Sequence, residues 1–498
     1  MAKPTLMSAK ALVFALVGAL VLIFAQSSTA ADTDAWLDAT RAASKAFSES
    51  RYADTEKWLR VAVKEAEKFG PTDQRLAGTL GTLAAILYSQ GKHTEAGEVY
   101  KRTLAIVEKT LGPGHLRVAD NLNGLAQIYQ MQGKLAEAQP LLERALTIRE
   151  TVLGREHPDV ANSLNNLGAL YHSQRDFTRA ETAYQRALSI LEKVYGRHDL
   201  GVAYTLNNLG TVYAAEARFR EAEQVMKRAL TIRRSAHRQD NADVGASLDN
   251  LAELYNSQGK YAEGEALLKD ALAIREKSRG PEHPEVGLSL GHLGDLYKAQ
   301  GRYAEAEPLL ERALGIWERT LGPEHPAVAN TLSNLGALYS AQENYGKAGE
   351  FYRRALVMLE KAYGPDHLSV AGTVSNLGLL LSSEGKPDEA EMLLKRALKI
   401  RQESLEAGHL DVGASLENLA KLYIGQGRYA EAEPLLKNAL EIREKSLGPK
   451  APGIVPTLER YATVLRGMNR DVDAAPLEVR AKGIRAEHPS VSFPDHEK

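Results

Sequence analysis

Apolar residues between positions 158 and 196 follow two successive helical patterns. In the first run they are separated by four, three and four positions and so share one face of a helix: Val160, Leu164, Leu167 and Tyr171. The second run has the same spacing: Ala180, Tyr184, Ala187 and Leu191. Polar residues separate the runs, and Gly196 follows the second. The pattern predicts two consecutive helices, which we call helix A and helix B.

This pair of patterns recurs every 42 residues, with no insertion from Gly81 to Glu459. The motif Asn-Asn-Leu-Gly or a close variant stands at 165–168, 207–210, 249–252, 333–336, 375–378 and 417–420. Ten units are in register, with helix A predicted to begin near residues 74, 116, 158, 200, 242, 284, 326, 368, 410 and 452. A fixed period of this length is typical of a solenoid, in which each unit buries its apolar face against its neighbours.

Three positions of the repeat accept only small side chains. The position of Gly168 holds Gly or Ala in all ten units, and the positions of Ala180 and Ala187 each hold Ala in nine of the ten. Such a narrow volume limit predicts close approach of helices A and B. A larger side chain at these positions is expected to overpack the contact.

These residues resemble the tetratricopeptide (TPR) repeat, whose pattern appears here as Leu167-Gly168-x-x-Tyr171 followed by Ala180, Tyr184 and Ala187. The 42-residue length and the linker Gly280-Pro281-Glu282-His283-Pro284 are similar to the kinesin-light-chain type of repeat. The resemblance covers residues 32–485. It implies an all-α fold, a right-handed α-solenoid of about 10–11 stacked helix-turn-helix units. It also implies that the A helices line the concave side.

Four segments are expected along the chain. Residues 1–30 have the layout of a secretory signal peptide: Lys3 and Lys10 precede an apolar run from Ala11 to Ala25, and small residues favour cleavage after Ala30. Residues 32–69 form a degenerate capping repeat, 70–485 the ten-unit solenoid and 486–498 a disordered tail. We therefore expect a secreted or periplasmic protein. The alternative is a protein anchored in the membrane by an uncleaved N-terminal segment.

The face of helix A opposite Leu167 and Tyr171 supplies the candidate groove residues. They differ between units, as a groove shaped for a ligand requires, although an idle solvated face would also vary. The candidates are Asn162, Asn165, Tyr204, Asn207, Asp249, Glu253, Asn256, Asp295 and Asn330. Replacing Asn165, Asn207 and Asp249 by alanine is expected to weaken binding with little effect on unfolding.

A separate column of asparagines recurs beside these positions at Asn166, Asn208, Asn250, Asn334, Asn376 and Asn418. Asparagine is a mediocre helix-interior residue, so its recurrence indicates a repeated hydrogen bond. An amide can both donate and accept. The column either joins adjacent units in a ladder, which we favour, or holds the backbone of an extended peptide.

Composition excludes several other functions. The net charge of −2 gives no basis for binding nucleic acid, and there is no cysteine for a thiolate metal site or nucleophile. No phosphate-binding loop, His-Glu-x-x-His motif or nucleophile elbow occurs. Six linker histidines come one per repeat and are interpreted as helix-start residues: His115, His157, His283, His325, His367 and His409.

The sequence therefore predicts a non-enzymatic scaffold without cofactor or metal, which binds a protein or peptide in the concave groove. The alternative is an accessory subunit of envelope polysaccharide or secretion machinery that acts through its convex face or its ends.

Overall fold

The computed structural model describes residues 34–49, 51–236, 242–405 and 408–487. These residues form 22 α-helices and one short 3-10 helix, with no strand among them. They fall into two compact units that divide after Val212, and each unit is a stack of helix pairs. The predicted signal segment 1–30 and residues 488–498 of the predicted tail lie outside the described residues.

Helices alternate between type A (odd numbers) and type B (even numbers). The A helices are α1 Asp34–Ser48, α3 Gln74–Ser89, α5 Leu116–Met131, α7 Pro158–Ser173, α9 Leu200–Ala215, α11 Ala242–Ser257, α13 Pro284–Ala299, α15 Pro326–Ala341, α17 Leu368–Ser383, α19 Leu410–Gly425 and α21 Val455–Gly467. The B helices are α2 Tyr52–Glu67, α4 His93–Leu111, α6 Leu135–Leu153, α8 Phe177–Tyr195, α10 Phe219–Ala236, α12 Tyr261–Arg279, α14 Tyr303–Leu321, α16 Tyr345–Tyr363, α18 Pro387–Ser404, α20 Tyr429–Leu447 and α22 Asp471–Glu487.

Nine A helices begin at the residues predicted from the repeat. The tenth repeat differs, because the 3-10 helix Pro452–Ile454 precedes α21. Pro456 then falls in the first turn of α21, where a missing amide hydrogen costs no helical hydrogen bond.

The linker histidines cap the A helices, which confirms their interpretation as helix-start residues. Nδ1 of His115 accepts a hydrogen bond from the backbone N–H of Arg117 at 3.1 Å, and the other five linker histidines make the same bond with the residue two positions on. Asp73 takes this role in its own repeat, where the backbone N–H of Arg75 donates to its carboxylate at 2.8 Å. An imidazole that accepts through Nδ1 carries its proton on Nε2.

Helices A and B of a repeat approach each other most closely at the small-residue positions. A Cβ added to Gly168 would lie 2.7 Å from the ring of Tyr184, and one added to Gly336 would lie 2.8 Å from the ring of Tyr352. Ala180 and Ala187 are fully buried beside this contact. The predicted close approach of the two helices is therefore present in the structure.

Successive A helices also pack directly against one another within each unit. This holds for α3, α5 and α7 in the first unit and for α11, α13, α15, α17 and α19 in the second. Among the described residues, successive B helices make no comparable backbone approach. Each stack therefore brings these A helices closer together than its B helices, which leaves only a narrow strip of each of them open to solvent.

Candidate binding surface on the A helices

The open strip of the A helices, which we call the A-face, consists of the positions equivalent to Asn162, Asn166, Glu253 and His172. Three predicted groove residues on it are exposed: Asn162, Glu253 and Asn330. Seven are partly exposed: Asn166, Tyr204, Asn250, Asn256, Asp295, Asn334 and Asn376. Within each unit, these side chains can reach a ligand that lies along the A helices of that unit.

The other four predicted residues are buried. The expectation that Asn165, Asn207 and Asp249 face solvent is therefore wrong, whereas the burial of Asn208 goes only against the peptide-contact alternative for its column. Asn165, Asn207, Asn208 and Asp249 are 4%, 1%, 2% and 7% exposed. Helical periodicity within one helix placed the first, second and fourth opposite the core, but the direct packing of successive A helices covers that position. Asn165, for example, donates through Nδ2 to Thr205 Oγ1 of the next A helix at 3.1 Å.

Asp249 is buried and contacts two basic side chains, the buried Arg275 and the half-exposed His292. Its Oδ2 lies 2.6 Å from Nη1 of Arg275 on helix B and 3.7 Å from Nδ1 of His292 on the next A helix. Burial alone would raise the pKa of Asp249, but the interactions with His292 and Arg275 outweigh it and hold that pKa below its usual value. Burial likewise opposes protonation of His292, yet Asp249 raises the pKa of His292 above the ordinary value. The alanine variant proposed from sequence would therefore break a structural ion pair.

Two residues of the asparagine column join neighbouring repeats. Asn334 Nδ2 donates to Asp295 Oδ2 at 3.1 Å, and Asn418 Nδ2 donates to Ser375 Oγ at 3.0 Å. Both acceptors belong to the preceding A helix. In these two repeats the geometry favours the ladder interpretation, while the partly exposed Asn250 and Asn376 remain the better candidates for contact with a peptide.

Sequence reasoning missed a column of arginines that project from the B helices between successive A helices: Arg149, Arg233, Arg275, Arg401, Arg443 and Arg485. Arg149 Nη1, for instance, donates to Ser163 Oγ of the next A helix at 2.7 Å. The signal was available in the sequence. Each acidic residue at the position of Asn165 is followed 26 residues later by an arginine: Asp249 by Arg275, Glu417 by Arg443 and Glu459 by Arg485.

The B-helix side carries a different set of charges, paired between neighbouring repeats. Arg312 Nη2 lies 2.7 Å from Glu276 Oε1, and Arg396 Nη2 lies 2.7 Å from Glu360 Oε1. Near the turn between the helices of one repeat, Glu265 of the preceding repeat accepts from Tyr297 Oη at 2.9 Å and from Arg302 Nη1 at 2.6 Å. Hydrogen bonds from Lys269 and Arg302 lower the pKa of Glu265 to about 2.

The A-face changes character along the second unit. The position of Ala169 is occupied in turn by Glu253, Asp295, Ala337, Leu379 and Lys421. Asp295 is engaged by Lys298 Nζ at 2.8 Å, whereas Glu253 and Lys421 extend into solvent. Across these five repeats the position thus changes from acidic through small and apolar to basic, while the A/B contact keeps its Leu and a Gly or Ala residue.

No helix within the described ranges is long and apolar enough to cross a bilayer. The same part of the chain brings no three His, Asp or Glu side chains together in an arrangement that could hold a metal ion.

Comparison with solved structures gives several similar folds. BtubC (BKLC) from P. vanneervenii is 21% identical, with 49% of this chain and 95% of that chain covered and a TM-score of 0.39. A putative kinesin light chain with nearly identical TPR-like repeats, from Podosopora anserina, is 29% identical, with 40% and 95% covered and a TM-score of 0.34. A Rap protein complexed with competence and sporulation factor is 15% identical, with 74% and 98% covered and a TM-score of 0.50, which shows a shared fold. A comparison with curated proteins gives no match.

The model of the tetratricopeptide repeat family matches the greater part of the chain. The matched segments are 75–151, 122–193, 159–235, 243–316, 288–361, 337–403 and 411–486. The family's Leu-Gly-x-x-Tyr pattern and small helix B residues are those that form the A/B contact described above. The chain belongs to the tetratricopeptide repeat family.

Proposed function

We propose that this protein is a non-enzymatic scaffold that binds an extended peptide or a protein segment along the A-face, outside the cytoplasm. One observation carries the proposal. From repeat to repeat the A/B contact keeps its Leu and a Gly or Ala residue, whereas the solvent-open position that follows them changes from acidic to apolar to basic between Glu253 and Lys421. A surface that varies on an invariant frame can recognise a sequence of side chains, one repeat at a time.

The partly exposed asparagines suit the backbone of such a ligand. Asn250 and Asn376 each present an amide that can donate to a peptide carbonyl and accept from a peptide N–H. The Rap protein that shares this fold was solved as a complex with competence and sporulation factor, so an α-helical repeat stack of this kind can accommodate a bound factor.

The accessory-subunit alternative would use the B-helix side. Two large apolar side chains lie open there, with Val357 64% and Met392 65% exposed. Exposed apolar side chains on an otherwise charged surface are candidates for contact with another protein. They also provide a matched control for the A-face.

The deciding experiment compares two double variants of the full-length chain in affinity capture from the extracytoplasmic fraction. One carries Asn250→Ala and Asn376→Ala on the A-face, and the other carries Val357→Ser and Met392→Ser on the B-helix side. We expect a partner that wild type and the B-side variant retain and the A-face variant loses. Loss from the B-side variant alone would refute the A-face assignment and support the accessory subunit.

Export is tested separately by the mass of the mature protein. We infer cleavage after Ala30 from the basic, apolar and small-residue order of residues 1–30. The expected mature chain begins at Ala31 and is found outside the cytoplasm. An intact N-terminus in the membrane fraction would instead support the anchored alternative.

A further inference from the structure

One position of the B helices holds a glutamate on which three hydrogen-bond donors converge. Glu265 of α12 accepts from three side chains: Lys269 Nζ at 2.6 Å, Tyr297 Oη at 2.9 Å and Arg302 Nη1 at 2.6 Å. Glu391 of α18 has the equivalent partners at the same distances: Lys395, Tyr423 and Arg428. A cation 4 residues on, a tyrosine 32 residues on and a second cation 37 residues on thus form a set that holds one carboxylate.

Gly97 of α4 stands at this position without the glutamate, although all three donors remain. They are Lys101, Tyr129 and Lys134, which follow Gly97 at the same three spacings. The space beside the glycine is an open cavity of about 160 Å³, and Gly97 and all three donors line it. This volume is several times the ~30 Å³ that one molecule occupies in liquid water. The cavity is therefore large enough for a carboxylate group on a short carbon chain.

Other repeats that lack the glutamate have lost donors as well. Two of them are changed at later positions of the set: Gln139 is followed by Glu143 and Asp176 at the cation positions, and Gly349 by Leu381 at the tyrosine position. Ala475 lies in α22, and no further described helix pair follows to supply the tyrosine. Among the described repeats, Gly97 is therefore the one position where the donor set is complete and the carboxylate is missing.

The two lysines at the cavity remain available to an incoming anion. Glu98 accepts from Lys101 Nζ at 2.8 Å, but the side chains of this pair are 69% and 48% exposed, so water and salt weaken it. Lys134 Nζ lies 6.0 Å from the centre of the Tyr129 ring and, within the described ranges, forms no ion pair. Glu98 is thus a competitor for one lysine and leaves the other unengaged.

Glu137 also lines the cavity, and its equivalent at the filled site does not exclude a carboxylate. Glu305 stands at the same position and contacts Arg302 at 2.7 Å. Arg302 nevertheless also contacts Glu265 at 2.6 Å. An acid at this position is therefore compatible with a second carboxylate on the same cation.

We propose that the cavity beside Gly97 is a binding site for a carboxylate group of another molecule. The carboxylate takes the place of the missing glutamate and accepts from Lys101, Tyr129 and Lys134. It is carried by a small organic acid or by an acidic side chain of another protein, which present the same chemistry to these donors. No residue that lines the cavity belongs to the A-face, so the inference does not rest on the proposed function.

Three variants of the full-length chain test the site. Gly97→Glu reproduces Glu265 of a sister repeat and supplies an internal carboxylate. Glu98→Ala reproduces Ala266 and removes the competing acid. Gly97→Ala is the matched control, because it adds the Cβ, which would lie 3.3 Å from Ile128, without adding a carboxylate. Thermal unfolding of each variant shows whether the helix pair is intact.

The measurement is a ligand-detected NMR titration with two matched pairs of probes. Propionate repeats the glutamate side chain as a free acid, and propionamide is its uncharged partner. A capped tripeptide with a central glutamate presents the same group on a chain, and its partner has a central glutamine. We expect saturable binding of at least one carboxylate probe to wild type and Gly97→Ala, and no binding of the uncharged probes. Binding should be about tenfold weaker or more in Gly97→Glu and tighter than wild type in Glu98→Ala.

The stronger of the two carboxylate probes identifies the source of the group, and equal affinities support a site that accepts both. No saturable binding of either probe to wild type would overturn the inference. Equal binding to wild type and Gly97→Glu would also overturn it, since it would reveal general ionic association. So would tighter binding of inorganic phosphate than of both carboxylates.

Glu98→Ala keeps the test valid if Gly97→Glu folds poorly, because weaker binding to Glu98→Ala than to wild type contradicts the proposed competition. The capture experiment changes residues of the A-face and the B-helix side that do not line this cavity. The scaffold proposal and the carboxylate site can therefore fail independently.

Discussion

Two sets of ion pairs differ in where they lie, one buried between helices A and B of a repeat and one across the B-helix side between neighbouring repeats. The Arg275–Asp249 pair has a separation of 2.6 Å, and its side chains are 4% and 7% exposed. The Arg312–Glu276 pair has nearly the same separation, 2.7 Å, but its side chains are 37% and 34% exposed. Water competes for the second pair and is excluded from the first.

The difference shows that contact distance alone does not give the contribution of a charge pair. An exposed pair contributes little, because water and salt screen it. Breaking a buried pair leaves an uncompensated charge with no water to solvate it. The inner arginine column thus restricts which residues each repeat can carry, whereas the outer pairs tolerate substitution.

Breaking the inner pair should have the largest effect. We expect Asp249→Ala to lower the free energy of unfolding by about 3–5 kcal/mol, because Arg275 is left buried without a partner. Chemical denaturation measures this change. The control is Asp249→Ser with Arg275→Leu, which copies the Ser333 and Leu359 combination of another repeat. If the double variant were as unstable as the single one, the lost charge partner would not be the cause.

A steric change separates packing from charge. Gly168→Leu should destabilise the first unit by about 1–3 kcal/mol, since the added side chain collides with Tyr184. Gly168→Ala should cost less, because sister repeats place Ala84, Ala126, Ala252 and Ala420 at this position. Equal unfolding of Gly168→Leu and wild type in denaturant titrations would show that helices A and B are not in close contact here.

The pH dependence of stability tests the inner ion pair through His292, whose half-exposed side chain lies beside the buried Asp249. Because the pKa of His292 is raised in the folded state, protonated His292 stabilises the fold fully at pH values below its unfolded pKa of about 6.5. This stabilisation is lost as the pH rises through the folded pKa. Because the pKa of Asp249 is lowered in the folded state, ionised Asp249 stabilises the fold at pH values above its unfolded pKa of about 3.9. This stabilisation is lost as the pH falls through the folded pKa. Wild type should therefore exceed His292→Asn in stability more at pH 6 than at pH 9. A difference independent of pH would exclude the charged His292–Asp249 interaction.

Removing an outer pair should have the smallest effect. Arg312→Gln is expected to change the free energy of unfolding by less than about 1 kcal/mol, and by less still in high salt. Thermal unfolding at two salt concentrations tests both statements. A loss as large as that of Asp249→Ala would mean that solvent exposure does not distinguish the two sets of pairs.

Much of the fold was predictable because it repeats. The start of nine A helices and the small side chains at Gly168 and Ala180 follow from comparison of the units with one another. The burial of Asn165, Asn207 and Asp249 was not predictable, because the periodicity of one helix does not show which neighbouring helix covers its polar face. The arginine column was visible as a 26-residue spacing, yet its meaning required the position of the next A helix.

The sequence by itself determined the period, the helix pairs, their caps and the tetratricopeptide pattern, because these depend on residues close together in the chain. Tertiary structure decided which polar residues are buried between repeats and which remain open on the A-face. It also showed that Asp249 neutralises Arg275, whereas Arg401 donates to the hydroxyl of Ser415. These distinctions depend on how closely successive A helices pack, and that distance is set by the side chains of both repeats together.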